Sequence, residues 1–309
     1  MIILENSFNA SDGENIFYYE FLPEDNNVKF IMQIAHGMAE HSARYKDFAE
    51  FLVNKGAAVY ISDHRGHGKN VETPEEYGVW PNKNTWFNIV DDLKLLNDIA
   101  TKNYPKVPNY ILGHSMGSFL LRTFIITYSN ELDGIIISGT GTYSSTLLKA
   151  GKILTNIDIL FKGTAHRSKL IDKMAFGGFN KNYDKPYQWL TRDQEIIDKF
   201  IEDPYNGGVM ASSFYRSFFS GIIYLNKMEN AKKIRKNLPV LFISGSEDPV
   251  GNNSKGVMEA IDFYKKTGLE KIDFKIYPDA RHEILNETNK KEVYNDIYKW
   301  INKTIKKVE

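Results

Sequence analysis

Apolar and polar positions along the chain follow two distinct periods. Residues 2–8 and 16–21 alternate in the manner of strands, and Ser11-Asp12-Gly13-Glu14 between them is a turn signal. This predicts an antiparallel hairpin at a sheet edge. Short, almost wholly apolar runs at 28–35, 57–62, 109–112 and 134–138 then read as buried strands. Between them, residues 44–54, 84–100 and 118–128 carry a helical period. The first of these helices is stopped by Gly56, and the second places Ile89, Leu93, Leu96 and Ile99 on one face. Past Gly141 the pattern breaks. Residues 142–235 contain no strand of that kind and are helical, aromatic and punctuated by loops. Strands resume at 238–244 and 271–277, followed by helices at 254–267 and 290–306. Strands alternating with helices predict an α/β fold, a mostly parallel central sheet with helices on both faces. Residues 1–141 and 236–309 would form that core, with 142–235 as a helical cap inserted over one end of the sheet.

The length of 309 residues suits one such domain with an insertion. Apolar and charged contents of 42% and 25% predict a full core and argue against disorder. The 39 Lys and Arg balance 39 Asp and Glu, so nothing favours nucleic acid as a partner. The same balance argues against strong attraction to anionic membranes, while leaving room for a loose apolar contact through the cap. Cysteine is absent, which excludes disulfides, thiolate metal sites and a cysteine nucleophile. The first residues lack a basic start followed by a long apolar stretch. No apolar run approaches the ~20 residues of a membrane span. The expectation is a soluble cytoplasmic protein.

Gly113-His114-Ser115-Met116-Gly117 fits Gly-x-Ser-x-Gly and falls between a predicted strand and a predicted helix. That context suits a nucleophile elbow, a sharp turn that exposes the serine hydroxyl. Crowding at such a turn demands glycines, and the helix that follows aims its first amides where negative charge develops. The remaining parts of a serine hydrolase are then identifiable. His36-Gly37-Met38 follows an early strand, so the backbone N–H of Met38 pairs with that of Met116 as an oxyanion hole. Asp248 ends the run Ser244-Gly245-Ser246-Glu247-Asp248 after a later strand, with Glu247 and Asp279 as competing acids. Asp248 is favoured because the acid is expected in its own loop between serine and histidine. Of seven histidines, only His282 lies beyond the insertion, just past the last strand. The chain order Ser115, Asp248, His282 is the α/β-hydrolase order.

Other residues invite weaker readings. His36, His41, His64 and His67 are close in sequence but form no His-Glu-x-x-His, and loop-shaping hydrogen bonds suit them better than a metal. Gly139-Thr140-Gly141 mimics the start of a dinucleotide loop, lacks the third glycine, and reads as the hinge into the insertion. No metal and no cofactor are expected.

Beyond these parts, the chain resembles the monoacylglycerol lipase and lysophospholipase-like hydrolases, a group that includes serine-aminopeptidase-type sequences. The likeness is carried by His36-Gly37-Met38-Ala39-Glu40-His41-Ser42, Arg44-Tyr45, Asp63-His64-Arg65-Gly66-His67-Gly68, the Ser115 pentapeptide and Ala280-Arg281-His282-Glu283. Trp189-Leu190-Thr191-Arg192-Asp193 and Asp203-Pro204 extend it into the insertion. The resemblance implies an α/β-hydrolase fold, a Ser115, Asp248 and His282 triad, and a small-molecule ester or lipid substrate with one acyl chain. Alternatives are a carboxylesterase for short esters, an aminopeptidase, and a non-catalytic binding protein of this fold. The aminopeptidase needs a carboxylate cluster for an amine, and Asp193, Glu195, Asp198, Glu202 and Asp203 are spaced more like a solvated helix face. Phe161, Phe176, Phe179, Trp189, Phe214, Phe218 and Phe219 are expected to form mostly the cap's own core, with some lining an acyl tunnel.

Overall fold

The computed structural model describes residues 1–80 and 82–305. The sequence-read end of the last helix, at residue 306, lies outside the described residues. Strands β1 (Ile2–Asn9) and β2 (Asn15–Leu22) form the expected antiparallel hairpin, with Ile2 opposite Leu22 and Asn9 opposite Asn15. The remaining strands are β3 (Phe30–Ala35), β4 (Ala57–Ser62), β5 (Asn109–His114), β6 (Gly134–Ser138), β7 (Val240–Gly245) and β8 (Ile272–Tyr277). They join one sheet in the order β1-β2-β4-β3-β5-β6-β7-β8, parallel throughout from β4 to β8. The hairpin occupies one edge, as its alternation required.

The central strands are apolar on both faces because both faces are covered. Helices α1 (Lys46–Val53) and α10 (Lys290–Ile305) pack with Leu112, Ile136 and Ile243 on one side. Helices α2 (Thr85–Asn103), α3 (Met116–Tyr128) and α9 (Lys255–Lys266) pack with Ile111, Ile135 and Ile137 on the other. Successive residues of one strand thus serve opposite cores, as the pleat dictates.

Between β6 and β7 the chain forms α4 (Ser145–Lys162), α5 (Lys169–Phe176), α6 (Gln194–Glu202), α7 (Ser212–Leu225) and α8 (Met228–Ala231). No strand occurs there among the described residues. Helix α7 roots the insertion: Phe214, Phe218 and Ile222 join the core shared with α2 and α3. It crosses α2 so closely that a Cβ on Gly221 would lie 2.1 Å from the Trp86 ring. The insertion's aromatics divide between core and partly open positions, and Phe161 departs from the sequence expectation. Phe214, Phe218 and Phe219 are buried, whereas Phe176, Phe179 and Trp189 are half-buried and Phe161 is 78% exposed. One thin layer of helices over a sheet end has too little interior to enclose all seven rings.

Candidate active site

The chain leaves β5 at His114 and enters α3 at Met116, so Ser115 alone makes the turn. Its backbone stands at φ 51° and ψ −117°, which non-glycine residues avoid. Hydrogen bonds hold it there: Ser115 N–H donates to Ser138 O (2.9 Å), and Ser115 O accepts from Ser118 N–H (2.9 Å) and Ser118 Oγ (2.6 Å). The flanking glycines are sterically required. A Cβ on Gly113 would lie 2.4 Å from Gly117 O, and one on Gly117 would lie 2.0 Å from Ala35 O. The amide of Met116 opens the helix and so has no intrahelical acceptor. Met38 lies in the turn after β3. Among the described residues, neither the Met38 nor the Met116 amide donates to another protein group. Both residues line the same cavity as Ser115.

Asp248, fully buried in the loop after β7, accepts from three donors. Its Oδ1 receives His282 Nδ1–H (2.9 Å) and Val250 N–H (2.9 Å), and its Oδ2 receives Ser244 Oγ (3.2 Å). Neither competing acid reaches the imidazole: Glu247 is half-exposed beside Arg281, and Asp279 is exposed at φ 58°. His282 is 2% exposed, in the loop after β8, with the Trp189 ring 5.1 Å away on one side and the His114 ring 4.7 Å away. Burial alone would depress the His282 pKa, but the Asp248 charge and hydrogen bond outweigh it, and the net shift is upward. His114 goes the other way, to about 4, through burial and the neighbouring His282.

Ser115 and His282 open into a cavity of about 280 Å³. Its far walls are rings from core and insertion: Phe119, Tyr143, Phe176, Phe179 and Phe218. A second apolar space of about 150 Å³ lies between α4, α5 and α7 and shares Tyr143, Phe176 and Phe218 with the first. The histidine loop is bonded to the insertion strip 188–192. His282 N–H donates to Trp189 O (3.3 Å), Glu283 N–H to Leu190 O (2.7 Å), and Arg281 Nη1 to Gln188 O (2.6 Å).

A family model described as serine aminopeptidase, S33, matches residues 26–289. The chain belongs to this family. It is 27% identical over 301 residues to a monoacylglycerol lipase of Mycolicibacterium smegmatis, covering 96% of each chain. It is 26% identical to the monoglyceride lipase of Homo sapiens, with 94% of this chain and 87% of the human one covered. Among solved structures, a thermostable carboxyl esterase from Bacillus coagulans in complex with glycerol superposes with a TM-score of 0.89. The identity is 27%, covering 99% of both chains.

In this S33-family chain the clustered histidines make loop-shaping bonds. His36 Nε2 accepts from His64 N–H (2.9 Å), His64 Nε2–H donates to His36 O (3.0 Å), and His67 Nδ1–H donates to Arg65 O (3.0 Å). Burial, reinforced at His64 by the adjacent His67, holds His64 at about 3; burial holds His67 at about 4. Among the described residues, no three His, Asp or Glu side chains are grouped to hold a metal ion. The acidic run divides as a helix face does. Asp193 caps α6 by accepting from Glu195 N–H (3.1 Å), Glu195 pairs with Lys199, and Asp203 meets His41. None of these acids lines the cavity. Sequence reasoning gave no role to Arg44, Glu40 or Glu283, which meet beside the site. The available signal was that all three stand inside the motifs that carry the family resemblance.

Proposed function

We propose that this ester-hydrolysing enzyme of the α/β-hydrolase fold cleaves monoacylglycerols through an acyl-enzyme on Ser115. The observation that carries the reading is the cavity of about 280 Å³ described above. Its polar floor holds Ser115, His282 and two unengaged amides, and its walls turn apolar toward the insertion. His282 takes the Ser115 proton as the hydroxyl attacks the ester carbonyl, and Asp248 holds the imidazole with Nδ1 protonated. The tetrahedral oxyanion rests on the Met38 and Met116 amides, each worth about 2–4 kcal/mol to the transition state. His282 then protonates the departing alcohol, and water cleaves the acyl-enzyme by the same path in reverse.

Residues 142–235 act as a cap, and the acyl chain threads beneath it past Tyr143, Phe176 and Phe218 toward the second apolar space. Each buried methylene stabilises by about 0.8 kcal/mol, so medium and long chains are favoured over acetate. The carboxylates of Glu40, Glu283 and Asp172 line the first cavity and outnumber cations there, which favours a neutral glycerol over a phosphate head group. Leu160, Phe161, Leu170 and Met174 are more than 60% exposed on α4 and α5, and this face rests loosely on lipid aggregates. Among the described residues, no helix is long and apolar enough to cross a membrane.

The test is a hydrolysis panel of a monoacylglycerol, its triacylglycerol, a lysophospholipid, p-nitrophenyl acetate and an aminoacyl amide. The monoacylglycerol should give the highest kcat/KM. Equal rates on the triacylglycerol would remove the cap reading. Preference for acetate would point to a short-chain carboxylesterase, and cleavage of the amide alone to an aminopeptidase.

A further inference from the structure

We infer that Arg44 is a positioning residue for the reaction, clamping the loop that presents the Met38 amide to the loop that carries His282. The inference rests on the roles proposed above for Met38 and His282. These two groups come from opposite ends of the chain. Met38 follows β3 and His282 follows β8, so no local hydrogen-bond ladder fixes one against the other. Catalysis nevertheless needs the oxyanion donors and the base in register, since a misplacement of about 1 Å costs about a hundredfold in rate.

Arg44 supplies that register through a buried fork. Its Nη1 donates to Glu40 Oε2 (2.5 Å) and Glu283 Oε1 (2.7 Å), and its Nη2 donates to Glu283 Oε2 (2.6 Å). Each carboxylate then acts on its own loop. Glu40 Oε1 accepts from Gly37 N–H (2.6 Å) and Tyr45 Oη–H (2.8 Å), which orients the backbone immediately before Met38. The fit is close: a Cβ on Gly37 would lie 2.6 Å from Glu40 Oε1 and 3.2 Å from Ser115 Cβ. Glu283 adjoins His282, accepts from Asn286 Nδ2 (3.0 Å) and is pinned through its own amide to Leu190 O. The guanidinium also lies 4.8 Å over the Phe200 ring of α6, another cavity wall. A lysine carries the same charge without the fork and cannot span both carboxylates with this geometry.

The cluster has an electrostatic consequence as well. One cation and two carboxylates leave an excess negative charge close to the imidazole. The charged and titratable groups around His282 are Asp248 after β7, His114 at the end of β5, Glu283 on its own loop, and Glu40 with Arg44 after β3. Both Glu283 and Glu40 act in the same direction as Asp248 on the imidazolium that forms during attack.

The experiment compares Arg44→Lys, Glu283→Gln and Ser115→Ala on a monoacylglycerol, with thermal midpoints and a kcat/KM pH profile for each. Arg44→Lys should lower kcat by about ten- to hundredfold with KM changed by less than about threefold. Glu283→Gln should lower kcat and also move the acid limb of the profile to lower pH. A folded Arg44→Lys with wild-type kcat overturns the inference, as does a loss expressed wholly in KM. If Arg44→Lys does not fold, Glu40→Gln decides, because an amide oxygen can accept from Gly37 N–H or from Arg44 but not from both, so one arm of the clamp is lost while the Arg44–Glu283 fork stays intact. Full kcat in folded Glu40→Gln would then overturn it. An active Ser115→Ala would instead sink the mechanism itself, whereas an inactive Ser115→Ala beside a full-rate Arg44→Lys sinks only the clamp.

Discussion

Replacing Asp248 by asparagine separates two functions of the acid that usually fail together. The familiar result of this change in serine hydrolases is a loss of about ten-thousandfold, because the amide turns its NH₂ to the histidine and enforces the wrong tautomer. Here the local bonds oppose that rotation. The oxygen that receives His282 Nδ1–H also receives the rigid Val250 N–H, so an acceptor is required at Oδ1. The other oxygen faces Ser244 Oγ, which also lies within 3.3 Å of Gly245 O and can donate there while accepting from an amide NH₂. Asparagine therefore fits with its oxygen toward His282 and keeps the productive tautomer. What disappears is the charge opposite the imidazolium. Two unit charges ~4 Å apart at an effective dielectric of ~20 interact by about 4 kcal/mol, an upper limit because the amide dipole remains. A charge-assisted hydrogen bond exceeds a neutral one by at least about 1 kcal/mol. The expected loss in kcat is thus between about fivefold and a thousandfold. The acid limb of kcat/KM should also move to lower pH, since the raised His282 pKa depends on this carboxylate. Steady-state kinetics from pH 5 to 9 on a folded variant would check both. A ten-thousandfold loss, or an unmoved acid limb, would refute the pinned-oxygen argument.

Ser115→Ala should reduce ester hydrolysis by about a thousandfold or more, and Ser115→Gly should be equally inactive yet melt higher than Ser115→Ala, because glycine relieves the strained φ of 51°. Gly117→Ala should give little folded protein, judged by circular dichroism and thermal melts, since its methyl would meet the Ala35 carbonyl at 2.0 Å with no flexible atom to yield. Glu283 is held at about 2, its burial outweighed by the charge and hydrogen bonds of Arg44. Its ionisation therefore contributes stability above the ordinary carboxylate pKa of about 4.5, and that contribution fades as pH falls from about 4.5 toward 2. Glu283→Gln should accordingly flatten the acid limb of a stability–pH curve, and an unchanged slope in denaturant titrations would contradict the assignment.

The sheet was legible because its residues answer to one dominant demand. Central strands covered on both faces must be apolar throughout, and Ile135-Ile136-Ile137 can hardly be anything else. Small offsets remain at the ends: β3 begins at Phe30, two residues later than the apolar run suggested, and α3 begins at Met116, two residues earlier. The elbow was legible because steric crowding fixes glycine at 113 and 117. Asp248 was separable from Glu247 and Asp279 only by loop logic; in the fold it is Asp248 that accepts from His282 Nδ1–H. The Arg44 clamp was not legible, because Arg44 and Glu283 are 239 residues apart and opposite charges in a sequence do not announce their partners. The placement of Phe161 was misjudged for a related reason. Whether Phe161 faces inward or outward depends on how many layers cover α4, which periodicity does not encode.

The hydrogen bonds that the histidine loop donates to strip 188–192 make that strip a fixed jamb, against which the rest of the proposed cap would be the leaf. The jamb shares backbone hydrogen bonds with the His282 loop and must travel with it. On the proposed function, motion that admits substrate or discharges a fatty acid would fall to α4 and α5, whose outward surface is greasy. Ring contacts from Phe176 through Phe179 to Trp189 still join the leaf to the jamb, so a viscous or crowded lipid surface that slowed the leaf would be expected to leave the hydrogen-bonded His282 loop in place. Turnover limited in this way would depend on solvent viscosity while the rate of acylation in a single turnover stayed constant.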